Sequence, residues 1–148
     1  MLEKETLGWK EWVSLPIFGI PCILAKIDTG ARTSSLHTID EEVFIKDNME
    51  WVRFTIALDS RENITVSAEA PLIARRIVTN SGGQAEERFV IEAQLRIGDW
   101  CSLAEVTLAR RRGMKCRMLI GRTAMSGTTI VDPEHAFLHQ TPLCDQNQ

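Results

Sequence analysis

Asp28, Thr29 and Gly30 follow the apolar run Leu24-Ala25-Lys26-Ile27 and precede Ala31 and Arg32. The order suits a carboxylate that does chemistry at the end of a strand. Gly30 has no Cβ, so main chain can press close to the carboxylate and φ is free to take values other residues resist. Thr29 adds a hydroxyl that can donate and accept, carried on a stiff χ1. Asp28 is therefore the candidate catalytic aspartate, with Thr29 and Gly30 shaping its turn. An aspartate at such a junction also commonly holds an Asx turn without catalysis. The rest of the chain has to supply the context.

The elements that would position Asp28 are strands. Trp9 to Leu15 reads as a strand closed by Pro16 and Gly19, and Pro21 to Ile27 as a nearly continuous apolar strand. Ser34 to Ile39 forms a short strand carrying Leu36 and His37. Val52, Phe54, Ile56 and Leu58 alternate, and Asp59 to Asn63 turns them into a partner strand from Ile64. Ile73 to Thr79 leads to the loop Asn80-Ser81-Gly82-Gly83. Phe89 to Ile97 and Trp100 to Ala109 form a second hairpin about Gly98-Asp99. Arg117 to Ile120 runs into one helical turn at Gly121 to Met125, and Thr128 to Val131 is a last strand. The expected fold is mostly β, a closed or strongly curved barrel with one short C-terminal helix.

At 148 residues, with 44% hydrophobic and 25% charged residues, the chain reads as a single globular domain over 1–148. Residues 1–8 and 140–148 are expected to be loosely ordered. A net charge of -3 and the absence of tyrosine give no sign of a nucleic-acid partner. No apolar stretch approaches the ~20 residues that span a bilayer, and Met1 to Glu5 lack a signal-peptide core. A cytoplasmic location, no membrane partner, and free thiols at Cys22, Cys101, Cys116 and Cys144 are the corresponding expectations.

Near the other end of the strand region stands Met118-Leu119-Ile120-Gly121-Arg122. Together with the strand ending in Asp28-Thr29-Gly30-Ala31, it resembles the retropepsin-like aspartic proteases. The further segments Gly8-Trp9-Lys10-Glu11-Trp12-Val13, Lys26 to Ser34, Met118 to Ala124 and Val131-Asp132-Pro133 are similar to a particular bacterial family. It is labelled an ATP-dependent zinc protease and accompanies RimK-type glutamate ligases. The resemblance implies a retropepsin-type barrel and an aspartic endopeptidase. It also implies a functional link to such a ligase, and a protein or peptide substrate that is glutamate-rich. Arg32 replaces the acidic residue that retroviral members place after Asp-Thr-Gly-Ala, so Arg122 is expected to find another carboxylate.

The label fits the residues poorly. No Walker-type phosphate loop is present, and no His-Glu-x-x-His helix. His135 and His139 would share a face only if helical. No metal and no cofactor is the reading. Aspartic proteolysis needs two carboxylates sharing one proton. Asp40, Asp47, Asp59, Asp99, Asp132 and Asp145 all lack the Thr-Gly context. The chemistry then calls for a two-fold homodimer in which Asp28 meets its own symmetry mate.

Among the remaining residues, Ala31, Arg32, Arg110, Arg111 and Arg112 are the candidate substrate-binding set. With Lys115, Arg117, Arg75 and Arg76 they form a positive surface suited to acidic peptide tails. Gly121 and Arg122 read as structural support, with Arg122 anchoring the helix against the Asp28 turn. Ser81-Gly82-Gly83 is either a flap tip or a plain loop. Cys22, in an apolar strand, reads as an inert thiol rather than half of a cysteine–histidine pair. Trp9, Trp12, Trp51 and Trp100 belong to the core or to the dimer interface. The alternative function is a catalytically silent module of the same fold that binds acidic peptides.

Overall fold

The strand that delivers Asp28 lies in the middle of the sheet. In the computed structural model, which describes residues 3–59, 61–79, 82–110 and 116–140, β3 (Ile20–Ile27) lies between β2 (Lys10–Leu15) and β11 (Met118–Ile120). Its apolar sequence follows from this position: Ile20, Cys22, Ile23, Ala25 and Ile27 are all buried. Continuing outward, β11 pairs with β4 (Ser34–His37), and β4 with β10 (Trp100–Ala109). On the other side β2 meets β9 (Ala85–Ile97), and the β9–β10 hairpin closes a barrel of six strands. The expected barrel is thus closed. Its interior is filled by Val13, Leu15, Ile23, Ala25, Leu36, Ile91, Leu95, Val106 and Met118, among others.

Two outlying sheets complete the fold. A three-stranded antiparallel sheet, β5 (Asp40–Lys46), β6 (Met49–Ala57) and β7 (Thr65–Pro71), turns Val52, Phe54 and Ile56 inward. Phe54 meets Phe18 edge-on, with centroids 5.3 Å apart and planes at 86°. Strand β5 lies outside the expected elements, because its charged residues Asp40-Glu41-Glu42 mask the pattern. The long strand β9 serves two partners: residues 85–90 pair with β8 (Ala74–Thr79), residues 90–97 with β10. The β8–β9 arm therefore projects past the end of the β9–β10 ladder.

The chain ends are tied together. β1 (Glu5–Gly8) runs parallel to β12 (Thr129–Asp132), and Leu7 is fully buried. The expectation that residues 1–8 are loosely ordered is corrected for this strand: a single apolar side chain and a ladder suffice to fix it. Beyond β12, residues 133–140 pass back over β2. Phe137 stacks on Trp12 at 5.6 Å and its N–H donates to the Lys10 carbonyl. Glu11 organises this strap. Fully buried, its carboxylate accepts from the main-chain N–H of Gly8 at 2.7 Å, Leu138 at 3.0 Å and His139 at 3.3 Å. Gly8 must be glycine, since a Cβ there would lie 2.5 Å from the His135 carbonyl oxygen.

Further expectations need amendment. Cys101 and Cys116 are free thiols, but Cys22 is disulfide-bonded, so it is not the free, inert thiol expected. Distance in sequence does not prevent a bridge once folding brings two sulfurs together. Of the tryptophans only Trp100 is buried; Trp9 is exposed, with the Lys10 ammonium 4.7 Å from its ring. Among the described residues no helix is long and apolar enough to cross a membrane.

Removing the Glu11 carboxylate leaves three main-chain donors without their acceptor in the interior. Glu11→Ala should cost about 3 kcal/mol of unfolding free energy, and Glu11→Gln distinctly less. Urea denaturation at an unchanged m-value is the measurement.

Candidate active site

The site begins where two parallel strands stop together. β11 lies parallel to β3 with Met118 opposite Ala25 and Ile120 opposite Ile27. The residues that follow, Asp28 on one strand and Gly121-Arg122 on the other, therefore leave the barrel side by side. The Asp28 N–H donates to the Ile120 carbonyl at 2.9 Å, and the Ala31 N–H returns to the Asp28 carbonyl at 3.2 Å, closing a tight turn. Within it the Gly30 N–H donates to Asp28 Oδ1 at 2.9 Å, fixing one carboxylate oxygen. The other is left to solvent or substrate. Gly30 has no positive φ, so its role is close approach alone: a Cβ would sit 3.2 Å from Oδ1.

The second segment grips the turn from behind. The Arg122 N–H donates to the Ala31 carbonyl at 2.8 Å, and the Thr123 N–H to the Arg32 carbonyl at 3.0 Å. The Gly121 N–H finds the buried Ser34 hydroxyl at 3.1 Å. Helix α1 (Arg122–Met125) starts here, and Arg122 Nη1 lies 3.2 Å from both the Thr29 and the Gly30 carbonyl oxygens. Its described hydrogen bonds thus go to main-chain carbonyls, not to the carboxylate expected for it. Thr29 is exposed, and its hydroxyl bonds to no other described residue. Nor does any described carboxylate hydrogen-bond to Asp28.

A groove of about 460 Å³ opens beside the turn, between Arg32, Thr33 and Thr123 on one side and Arg76, Glu92 and Glu105 on the other. Arg32 thus lines a cleft. Three cations of the wider positive surface are engaged, however. Arg75 is bound through two nitrogens to Glu50, Arg76 to Glu105, and Arg117 donates to the Asp59 carbonyl. The Arg75 hydrogen bond and charge hold the Glu50 carboxyl below its ordinary value. Arg110 is exposed; Arg111, Arg112 and Lys115 lie outside the described residues, as does Ser81 of the expected loop. Glu105 could not be recognised as a groove residue from sequence, because its partner is 29 positions away.

The two histidines have separate partners. Residues 133–140 are turn and irregular chain, with Phe137 at φ 58°. His139 Nε2 lies 2.7 Å from the Thr6 carbonyl oxygen, whereas His135 Nδ1 meets Asp132 Oδ2 at 2.8 Å. The Glu134 N–H, then the His135 ring, hold the Asp132 carboxyl below its ordinary value. Asp132, Glu134 and His135 bring potential ligand atoms within 4.8 Å of one another, a cluster that includes His135 but not His139.

Gly121 is the tightest point of the grip. A Cβ would stand 2.7 Å from the Thr33 carbonyl carbon and 2.9 Å from the Ala31 carbonyl oxygen, all main chain that cannot swing aside. Gly121→Ala should therefore displace the Asp28 turn and cost about 2 kcal/mol. A thermal melt with amide spectra of residues 28–34 reads both effects.

Comparison with known proteins agrees with this fold. A solved protein of unknown function from Legionella pneumophila superposes with a TM-score of 0.79 at 24% identity, covering 93% of this chain and all of that one, a likeness of fold. A protein named "Probable alpha-L-glutamate ligase" from Desulfotalea psychrophila is 41% identical over 133 residues, 89% of this chain and 29% of the relative. One of the same name from Parasynechococcus marenigrum is 41% identical over 135 residues, covering 90% and 29%. The chain thus spans under a third of the length of these relatives. The RimB-like family model, described as the retropepsin-like aspartic endopeptidase RimB, matches residues 6–142. A match of that extent, on a barrel built this way around Asp28, means that the chain belongs to the RimB-like family of retropepsin-like aspartic endopeptidases.

Proposed function

We propose that the chain is an aspartic endopeptidase acting as a homodimer, with Asp28 of each subunit supplying half of the catalytic dyad. The observation that carries this reading is the Asp28 turn itself. One carboxylate oxygen is fixed by the Gly30 N–H, the other is open, and no second carboxylate joins it within the described chain. A two-fold axis through the rim would supply the missing acid from the same residue of another copy. Two carboxylates so close share one proton, because both cannot ionise. The ionised one takes a proton from water as its oxygen attacks the peptide carbonyl carbon. The protonated one gives its proton to the carbonyl oxygen. Collapse of the tetrahedral adduct breaks the C–N bond as the amine nitrogen is protonated.

The substrate we assign is an acidic or glutamylated protein tail. Two features support it: curated relatives are named glutamate ligases, and Arg32 and Arg110 are exposed arginines near or beyond the site. A functional link to a RimK-type ligase follows the same logic, one activity adding glutamates and the other cleaving the modified chain. The other reading is a silent module that binds acidic peptides for a ligase. It draws on the finding that the matched relatives, more than three times as long, carry a ligase name.

Asp28→Asn separates the two. Cleavage should fall by roughly three orders of magnitude with folding and peptide binding intact. Wild-type activity that persists undiminished at concentrations where sedimentation finds only monomer would sink the dyad. Replacing Arg110, Arg111 and Arg112 with alanine should raise KM for a glutamate-rich peptide and leave a neutral one unchanged; equal effects would remove these arginines from recognition.

A further inference from the structure

The groove beside the Asp28 turn holds two arginines in different electrostatic states. Arg32, immediately after Ala31, is exposed, and its guanidinium has no ion-pair or hydrogen-bond partner among the described residues. Across the groove, Arg76 on β8 reaches Glu105 on β10 with Nη2 3.1 Å from Oε1. That contact uses one guanidinium nitrogen, whereas Arg75 on Glu50 and Arg53 on Glu69 each use two. The two side chains are 40% and 47% exposed, so a competing carboxylate can reach the pair. Thr33 and Thr123 add hydroxyls on the Arg32 side. Glu92 faces Glu105 across the β9–β10 register.

We propose that this groove is a subsite for one substrate carboxylate, the side chain of a glutamate beside the scissile bond. Arg32 is its primary partner. Glu105 is a tethered carboxylate that occupies Arg76 until the substrate's carboxylate takes its place. Guanidinium groups favour this exchange because their planar donors match a carboxylate in either source. The second acid, Glu92, keeps the far wall negative, so a single monoanion fits and a dianion such as a phosphate monoester is penalised. The subsite then selects where a glutamate sits, not simply how acidic the peptide is. This assignment rests on the reading of the Asp28 turn as a peptide-binding site and names what that site prefers.

The two arginine environments predict effects of opposite sign. In Asp28→Asn protein, which holds peptide without cutting it, fluorescence anisotropy would follow a labelled glutamate-tailed peptide and its glutamine counterpart. R32Q should weaken the glutamate peptide roughly fivefold, and E105Q should tighten it roughly threefold, with the glutamine peptide unmoved in both. Both differences should fade at ~0.5 M salt. Loss of affinity in E105Q, or equal shifts for the two peptides, overturns the subsite. Activity is read separately on the unsubstituted protein. Asp28-dependent cleavage without a glutamate preference removes the subsite and keeps the peptidase. The predicted binding pattern without cleavage does the reverse.

Discussion

The parallel pairing of β11 with β3 is the constraint on which the site depends. Strands about ninety residues apart in sequence must lie in one register before Gly121 can meet Thr33 and Arg122 can reach the Thr29 and Gly30 carbonyls. Parallel neighbours cannot be joined by a hairpin, so the whole intervening chain serves as the crossover. That chain is used: it builds the outlying β5–β7 sheet, the projecting β8–β9 arm and the hairpin that closes the barrel. The Asp28 turn is rigid because main chain holds it from both sides, leaving its carboxylate free of structural duty on one oxygen.

A second tie holds the strand beside β3, where Glu11 on β2 lies opposite Ala25. Glu11 stands fully buried with three main-chain N–H donors on its carboxylate, and so replaces a missing strand as the acceptor for the returning strap. The segment Gly8 to Val13 thereby acquires a physical meaning. Gly8 admits the strap, Glu11 binds it, and Trp12 gives Phe137 a stacking face. A buried carboxylate is a costly anchor unless its donors come pre-arranged, and main-chain donors in a fixed strap are.

Charge is distributed by function rather than by count. Arg53, Arg75 and Arg117 are held by neighbours in the outer sheets and loops. Arg122 is spent on the turn. Arg32, on the rim of the groove, has no such partner among the described residues. The arginine count therefore overstates the free positive charge among the described residues, and one unmatched arginine, Arg32, directly follows the turn of the candidate catalytic carboxylate.

The meeting of the Asp28 turn with Gly121-Arg122 was signalled by the resemblance to retropepsin-like proteases; by itself the sequence determined the period-2 strands and the Asp28 turn. Each is local, or is signalled by residue types with few alternative uses, such as a glycine between an acid and a close main chain. It missed β1 and β5, where charged or short segments owe their conformation to partners elsewhere. It also missed the disulfide at Cys22 and the strap on Glu11, because both depend on which segments meet in space. Tertiary structure decided the partners: carbonyls instead of a carboxylate for Arg122, the Thr6 carbonyl for His139, Glu105 for Arg76. Residue identity fixes what a side chain can bind, and only the fold brings one of several possible partners within reach.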